Sequence, residues 1–244
     1  MGLLAGVSSE ELIKLQVGSF SGPLSPDDVT AIIQATNSLW LYPGEFRAEV
    51  PHAKLTAGDC STGFVNLRIV MSMTNLCDVL AAQLVALLRS CYKGSVDCVI
   101  GSDTASLNLA YAVGRLFGAR VYPMHKVTVK ECGEEVEKQK YTGPKMPAGT
   151  KVLRVEELMT TAKTFRLVTA GFQEANPETE FIPFLPLVVD RRTVREAAVD
   201  GVQILPMVRY EIKSWKDDCP LCALGSKAIR PNTPEGWAEL TTAA

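Results

Sequence analysis

The segment from residue 152 to 164 constrains the fold of this chain most, because it changes abruptly from apolar residues to a hydroxyl-rich turn. It reads VLRVEELMTTAKT, and two adjacent acids, Glu156 and Glu157, follow the apolar run. The β-branched apolar residues predict a strand, and the apolar spacing after the turn predicts a helix from Phe165 onward. A strand, a turn and a helix in this order place the turn at the carboxyl end of the strand, where open α/β sheets bind ligands.

The turn at residues 160–164 is suited to an anion. Its side chains supply hydroxyl donors, and the first N–H groups of a helix lack partners within that helix. Carboxylates beside a phosphate site would accept hydrogen bonds from ribose hydroxyls. The segment therefore predicts a sugar-phosphate site, in which Glu156 and Glu157 contact the ribose.

The same plan of strand, small turn and helix occurs at residues 97–117. DCVIG at 97–101 predicts a buried strand, SDTAS at 102–106 predicts a turn of small residues, and Gly118 is a candidate helix end. Repetition of this unit is typical of a doubly wound, mostly parallel sheet flanked by helices. We expect a second anion-binding loop beside the first.

Other stretches predict the elements around this centre. Residues 1–45 contain two helix starts, SSEEL and SPDDV, with no chemistry assigned to them. Thr74 is a candidate cap for a helix with leucines spaced four residues apart, which indicates a core face. Pro183 and Pro186 interrupt the apolar run at 181–189, which predicts an edge strand.

The composition limits the class of protein. The chain has 244 residues, 47% hydrophobic and 21% charged, with a net charge of −2. These values predict a globular protein and give no support for a nucleic-acid surface. Neither a charged leader before an apolar core nor an apolar run of about 18 residues is present in the sequence. We therefore expect no membrane span and a cytoplasmic location.

The seven cysteines predict buried thiols rather than a disulfide framework. Cys219 and Cys222 form a CPLC pair, but a structural zinc site needs four ligands and this pair supplies two. Two further ligands could come from another subunit, or from Cys60 and another thiol. Two ordinary thiols are an equal alternative, so no metal ligands are assigned.

The segment at residues 130–150 loses apolar periodicity and is rich in lysine, glutamate, glycine and proline. A solvated hairpin is the simpler interpretation. The functional interpretation is a mobile lid, which brings ammonium groups over a polyphosphate and excludes water.

Residues 152–164 resemble the signature of type I phosphoribosyltransferases: an apolar strand, two acids, two variable residues and a threonine-rich turn. LTAGDCS at residues 55–61, followed by Phe64 and an apolar strand, is similar to the hood of orotate phosphoribosyltransferases. VVDR at 188–191 is similar to the next strand of that family. The likeness covers about residues 46–210, with a hood at 46–72 and a lid at 130–150, whereas the tail at 211–244 lies outside it.

The resemblance implies an enzyme that displaces pyrophosphate from 5-phosphoribosyl 1-pyrophosphate with a base nitrogen, uses Mg²⁺ and forms a homodimer. Orotate is the expected base. Phe64 and Arg166 would contact it, with the guanidinium of Arg166 paired to the carboxylate of orotate. Glu156 and Glu157 would hold the ribose hydroxyls. The remaining assignments are the 5-phosphate site at Thr160, Thr161, Ala162, Lys163 and Thr164, the pyrophosphate loop at Ser102, Asp103, Thr104 and Ala105, and the cations Lys126, Lys138 and Lys140 for the leaving group.

Departures from the family pattern keep two alternatives open. Ala162 stands where the family usually has glycine, and Ala105 and Ser106 stand where paired glycine is common. The hood also has Asp59 at a position that is often basic. The alternatives are a phosphoribosyltransferase for another base or related heterocycle, and a non-catalytic regulator that binds phosphoribosyl pyrophosphate or a nucleotide.

Overall fold

A computed structural model describes residues 2–102, 105–194 and 196–242, apart from the side chain of Ala105. The strands are β1 (Leu39–Leu41), β2 (His52–Lys54), β3 (Cys60–Ser61), β4 (Gly63–Val65), β5 (Cys98–Gly101), β6 (Arg120–Glu131), β7 (Glu134–Tyr141), β8 (Lys151–Met159), β9 (Glu180–Phe181), β10 (Phe184–Asp190), β11 (Ala198–Val199), β12 (Val202–Arg209), β13 (Ser214–Trp215) and β14 (Ala228–Ile229). The helices are α1 (Ser9–Leu12), a 3-10 turn (Val17–Ser19), α2 (Pro26–Ala35), α3 (Leu67–Ser72), α4 (Thr74–Cys91), α5 (Ala105–Phe117), α6 (Lys163–Ala175), α7 (Pro220–Ala223) and α8 (Pro234–Thr242).

Eight strands form the main sheet, in the order β11-β12-β10-β8-β5-β6-β7, with β9 beside β8. The five strands from β12 to β6 run parallel, while β11 and β7 are antiparallel to their neighbours at the two ends. The carboxyl ends of the parallel strands therefore lie along one side of the sheet. The turns after β5 and β8 meet there, as the doubly wound prediction requires.

Helices cover both faces of this sheet. Successive side chains of its strands point to opposite faces, and the apolar side chains on each face are buried under helices. Val99 and Leu153 belong to a core that also includes α2, α4 and α5. Ile100 and Val152, their neighbours in sequence, belong to a second core that includes Phe172 of α6. The predicted mixed α/β class, with a mostly parallel sheet between helices, is confirmed. In the part of the chain that the structure describes, no helix is both long and apolar enough to cross a membrane.

The local helix signals are mostly confirmed. Ser8 and Ser25 cap α1 and α2, and α5 ends before Gly118, whose φ of 64° is left-handed. The four-spaced leucines of α4 are fully buried. The prediction that Thr74 caps α4 is wrong: Met73 takes the extended cap conformation because α3 ends just before it, and Thr74 is the first helical residue.

The prediction of an edge strand at residues 181–189 is also wrong. β10 lies between β12 and β8, in the interior of the sheet. Pairing with β8 begins at Leu187, beyond both prolines, so the missing N–H groups do not interrupt that ladder. Leu185, Leu187, Val188 and Val189 are fully buried, as expected of a parallel strand covered on both faces.

The lysine-rich segment forms an antiparallel hairpin of β6 and β7 followed by a loop at residues 142–150. The hairpin packs closely on α6: a Cβ added at Gly171 would lie 1.7 Å from the carbonyl oxygen of Gln139. The simpler interpretation, a hairpin, therefore describes its structure. Movement of this hairpin as a lid stays a prediction.

The hood and the tail share a sheet of four short strands, in the order β13-β3-β2-β14. β2 and β3 come from the hood, whereas β13 and β14 come from the tail and flank them on either side. β1 and β4 form a separate antiparallel pair. The domain boundaries stay a prediction, but the tail completes the hood instead of lying apart from it.

Candidate active site

The two predicted acids lie within β8, two and three residues before its end. β8 continues to Met159, so the strand is longer than the sequence indicated. Glu156 pairs with Leu187 of β10 in the parallel ladder, which places it in the interior of the sheet. The acids are therefore held by a central strand at its carboxyl side, close to the turn that precedes α6.

The acids accept hydrogen bonds from two serines, Ser102 directly after β5 and Ser106 in the first turn of α5. Ser106 Oγ donates to Glu156 Oε2 at 2.8 Å and also contacts Glu157 Oε2. Ser102 Oγ lies 3.1 Å from Glu156 Oε2 and 2.9 Å from Ser106 Oγ. Glu156 is 4% exposed and Glu157 is half-buried. The sequence predicts that both acids contact the ribose, whereas in this structure Glu156 is buried and its partners are Ser102 and Ser106.

Burial changes the proton affinity of this acid pair. It raises the pKa of Glu156 to about 8, together with the nearby charge of Glu157, while hydrogen bonds from Ser106 and Ser102 act in the opposite direction. Burial also raises the pKa of Glu157, again against the hydrogen bond from Ser106. A ligand that brings positive charge or hydroxyl donors would stabilise the ionised form of a buried carboxyl with a raised pKa.

The turn at residues 160–164, the predicted phosphate site, is open to solvent. Thr160, Thr161, Lys163 and Thr164 are exposed, and they line a cavity of about 30 Å³ that also reaches Glu156. Ala162 is the N-cap of α6 and has no polar side-chain atom to accept from the first amides of the helix. Its φ of 61° is left-handed, so the backbone takes here the conformation for which the family usually has glycine.

The predicted cations lie on or near the hairpin. Glu137 contacts the ammonium groups of both Lys126 and Lys163, the latter at 3.0 Å, and so connects the hairpin to the start of α6. Lys138 pairs with Glu131 on the partner strand. Lys140 is exposed. Lys126, Lys138 and Lys163 therefore already form ion pairs with carboxylates of the hairpin.

Arg166 and Phe64 lie away from the acid pair, and part of the predicted pyrophosphate loop lies outside the described residues. Arg166 pairs with Asp200, with 2.8 Å between Nε and Oδ2, and both side chains are exposed. The ring of Phe64 packs against Trp237 of the tail at 6.1 Å between centroids. Asp103 and Thr104, and the side chain of Ala105, lie outside the described residues. The roles predicted for all these residues stay predictions.

A larger cavity, of about 490 Å³, opens beside the ends of β10 and β12 and was not predicted from the sequence. Its lining includes the cationic side chains Arg192, Arg209 and Lys213, and the acids Asp190 and Glu211. Asp190 Oδ2 lies 2.9 Å from Arg192 and 3.6 Å from Arg209, so one buried carboxylate holds two guanidinium groups. The cavity lies on the same side of the sheet as Glu156, because β8, β10 and β12 are parallel.

The contact of Ser106 with the acid pair was also not predicted from the sequence. The available signal was the predicted turn of small residues at 102–106, which includes Ser106. The arginines of the 490 Å³ cavity lie at the carboxyl ends of two parallel strands: Arg192 follows β10, and Arg209 is the last residue of β12. That position is the signal by which the sequence could have indicated them.

No protein-family model matches the sequence, and neither does any curated protein. Solved structures do resemble the chain. UMP synthase of Leishmania donovani has a TM-score of 0.54 and 16% identity, over 88% of this chain and 41% of its own. Orotate phosphoribosyltransferase of Mycobacterium tuberculosis has a TM-score of 0.50 and 15% identity, over 75% of this chain and 96% of its own. Adenine phosphoribosyltransferase of Trypanosoma brucei has a TM-score of 0.50 and 13% identity, over 77% of this chain and 82% of its own.

This chain thus spans about two-fifths of the length of the Leishmania enzyme. Identities this low concern the fold and not the substrate. The sheet order, the helices on both faces and these likenesses together show that the chain has the type I phosphoribosyltransferase fold.

Proposed function

We propose that this protein transfers the 5-phosphoribosyl group from phosphoribosyl pyrophosphate to a nucleobase, with orotate as the preferred base. The observation that carries the proposal is the acid pair in β8 beside the exposed, hydroxyl-rich start of α6. In the reaction, a base nitrogen forms a bond to ribose C1 while the bond from C1 to the pyrophosphate oxygen breaks. Pyrophosphate leaves with that electron pair.

The ribose would lie over Glu156 and Glu157. Its 2- and 3-hydroxyls would donate to the carboxylate oxygens in place of Ser106, whose Oγ now contacts both acids. Positive charge develops on the ribose ring as the pyrophosphate leaves, and two carboxylates in a partly desolvated site would stabilise it. The raised pKa values mean that the bound ribose, with its hydroxyl donors and developing positive charge, would have to draw the acids into their ionised form.

The 5-phosphate would occupy the turn at residues 160–164. The first amides of α6, a helix of thirteen residues, would donate to the phosphate, and Thr160, Thr161 and Thr164, which line the small cavity there, would add hydroxyl donors. Lys163 would add a cation when it leaves Glu137. The pyrophosphate would lie toward Ser102, with Lys126, Lys138 and Lys140 of the hairpin closing over it as a lid.

Mg²⁺ would accompany the pyrophosphate. The described residues near the turn provide the carboxylates of Glu156 and Glu157, which are too few for a closed metal cage. They suit an ion that takes most of its ligands from water and phosphate oxygens. Bound in this way, Mg²⁺ would neutralise charge on the leaving group.

The base would enter the 490 Å³ cavity beside β10 and β12. Three cations, Arg192, Arg209 and Lys213, face two acids there, which leaves an excess of positive charge for an anionic base. The fork of Arg192 is used on Asp190, so the partly exposed guanidinium of Arg209 would bind a carboxylate such as that of orotate. This excess favours orotate over a neutral purine. The proposal also includes the homodimer that the resemblance implies.

A second candidate function is a non-catalytic sensor of phosphoribosyl pyrophosphate or a nucleotide. The specific observation behind it is that Glu156 is 4% exposed and already hydrogen-bonded to Ser102 and Ser106. A site whose acids stay on the serines would bind the phosphates without supporting cleavage of the bond from ribose C1 to the pyrophosphate oxygen.

One assay separates the candidates. The chain is mixed with Mg²⁺ and phosphoribosyl pyrophosphate, and pyrophosphate release is followed with orotate, with adenine or with no base. Release with orotate supports the proposal, and release only with adenine moves the substrate to a purine. Binding of phosphoribosyl pyrophosphate by calorimetry without release under either base supports the sensor. Absence of binding removes both candidates.

A further inference from the structure

The shared sheet of the hood and the tail brings together one histidine and three cysteines. Nε2 of His52 and the Sγ atoms of Cys60, Cys219 and Cys222 all lie within 4.8 Å of one another. His52 is fully buried, Cys60 and Cys219 are buried, and Cys222 is exposed. These four residues come from distant parts of the chain, so their convergence is a property of the fold.

We propose that these four side chains bind one structural zinc ion, which joins the hood to the tail. The site is separate from the phosphoribosyl site and does not depend on the proposed function. Three thiolates and one imidazole are a standard tetrahedral ligand set for zinc, and thiolate ligands disfavour the hard ions Mg²⁺ and Ca²⁺.

The distances between the ligand atoms fit a tetrahedron around zinc. Zn–S and Zn–N bonds of about 2.3 and 2.0–2.1 Å place tetrahedral ligands roughly 3.8 Å apart for two sulfurs and about 3.6 Å apart for sulfur and nitrogen. Sγ of Cys60 and Sγ of Cys222 are 3.6 Å apart. The Sγ atoms of Cys219 and Cys222 lie 3.8 and 3.4 Å from His52 Nε2. The Cys60 and Cys222 sulfurs are too far apart for a disulfide, which needs about 2.05 Å.

The histidine is held in the tautomer that a metal requires. Nδ1 of His52 lies 2.8 Å from Ser226 Oγ, and that hydroxyl donates to the carbonyl oxygen of Val50 at 2.7 Å. Because Ser226 uses its proton on Val50, it accepts a hydrogen bond from His52 Nδ1–H. The lone pair of the imidazole is then on Nε2, which faces the three thiols. An outer hydrogen bond of this kind is usual for histidine ligands of zinc.

The backbone supports the same geometry from both sides. β2 and β3 pair with Lys54 opposite Cys60, which fixes the strand that carries Cys60 beside the strand that begins at His52. Cys219 is the N-cap of α7 and Cys222 lies in that helix, so both thiols project from one short turn. The chain then reverses at Gly225, whose φ is 88°, and returns Ser226 to His52.

The described residues of the hood and tail share two small apolar clusters, which gives the ion a structural role. Their shared strands are two or three residues long; one cluster surrounds Cys60, Cys219 and Leu221, and the other surrounds Ala53, Ile229 and Leu240. Small units of this kind are commonly stabilised by a metal. A zinc ion here would connect residues that lie 162 positions apart in the chain.

The first test is the metal content of the full chain, purified with a reducing agent and without chelators. Mass spectrometry of the dissolved metals should give about one zinc per chain. Replacement by Co²⁺ should give the charge-transfer and visible absorption of tetrahedral cobalt with thiolate ligands. Zinc-free protein that takes up neither ion overturns the proposal, and so does iron as the bound metal or a disulfide in the purified chain.

Variants assign the ion to these residues. Cys222→Ser should lose most of the zinc, while Cys91→Ser, which changes an exposed thiol outside the cluster, should keep it. Ser226→Ala retains all four ligands and should weaken zinc binding by about 10- to 100-fold in competition with a chromogenic chelator, because it removes the partner of His52 Nδ1. Unchanged affinity in Ser226→Ala and unchanged zinc in Cys222→Ser would place the ion elsewhere. If Cys222→Ser does not fold, the Ser226→Ala titration decides.

Discussion

The acid site and the zinc cluster are built in opposite ways. Glu156, Glu157 and the turn at 160–164 are contiguous in sequence and take their geometry from one strand and one helix. The zinc cluster takes two ligands from the hood and two from the tail, and none of them is marked by a complete motif. A contiguous site can keep its geometry when distant parts of the molecule change, whereas a dispersed site depends on the whole hood and tail. The two sites should therefore respond differently to mutation.

The largest expected effect is on catalysis alone. Glu157→Gln should lower pyrophosphate release by about 100-fold or more, because it removes a charge that stabilises the ribosyl cation. Its zinc content should match the wild type, and its Tm should not fall, because burial disfavours the charge that is removed. Glu135→Gln, at an exposed acid of the hairpin, is the control and should keep normal turnover. Near-normal turnover in Glu157→Gln would remove the acid pair from the mechanism.

Glu156 provides a pH test of the same site. The pKa of this carboxyl is raised from 4.5 to about 8 in the folded chain. The folded chain then holds a proton that the unfolded chain releases, so wild-type stability should fall as the pH rises from about 4.5 to about 8.

Glu156→Gln cannot titrate at this position. Relative to the wild type, the variant should therefore become more stable as the pH rises, and its Tm should increase accordingly. The expected difference in unfolding free energy is on the order of a few kcal/mol. Thermal melts of both proteins across this range measure the difference. A constant difference between the two proteins would mean that Glu156 is ionised throughout.

The hairpin lysines should show a smaller effect. Lys138→Ala combined with Lys140→Ala should lower turnover by about tenfold, equal to roughly 1.4 kcal/mol of activation barrier, because two cations over the leaving group are lost. The Tm should change little, since Lys140 is exposed and Lys138 contributes a surface ion pair. Lys14→Ala, at an exposed lysine of the N-terminal region, is the control. Equal losses of turnover and stability would make the hairpin structural.

The smallest effect concerns the backbone at the start of α6. Ala162→Gly should stabilise the fold by about 0.5–1 kcal/mol, because glycine adopts the left-handed φ of 61° without steric cost. The same substitution at Ala170, within α6, should destabilise the fold by about 1 kcal/mol, because glycine is unfavourable in a helix interior. Denaturant melts compare the two variants, and a loss of stability at both positions would mean that the methyl group of Ala162 contributes more by packing than it costs.

The sequence predicted the elements whose signals are local. The strand and helix around Glu156 and the helix end at Gly118 follow from the periodicity and capping of neighbouring residues. The central place of β10 was missed because strand order depends on pairing between distant segments, and two prolines suggested an edge.

The same reason explains the missed parts of the sites. Ser106 contacts an acid that lies 50 residues further along the chain, and the cavity of Arg192 and Arg209 forms only when two strands pair. The CPLC pair at 219–222 left zinc and ordinary thiols as equal alternatives, with Cys60 named as a further candidate ligand. His52 was missed because it carries no neighbouring ligand in sequence and meets the cysteines only in the fold.

The shared sheet of the hood and the tail has a consequence for protein synthesis. β2 and β3 leave the ribosome early, but their outer partners, β13 and β14, follow the entire main sheet. A nascent chain therefore carries two unpaired strand edges while its central domain folds, and such edges favour association with other chains. Truncation before residue 214 would make that transient condition permanent.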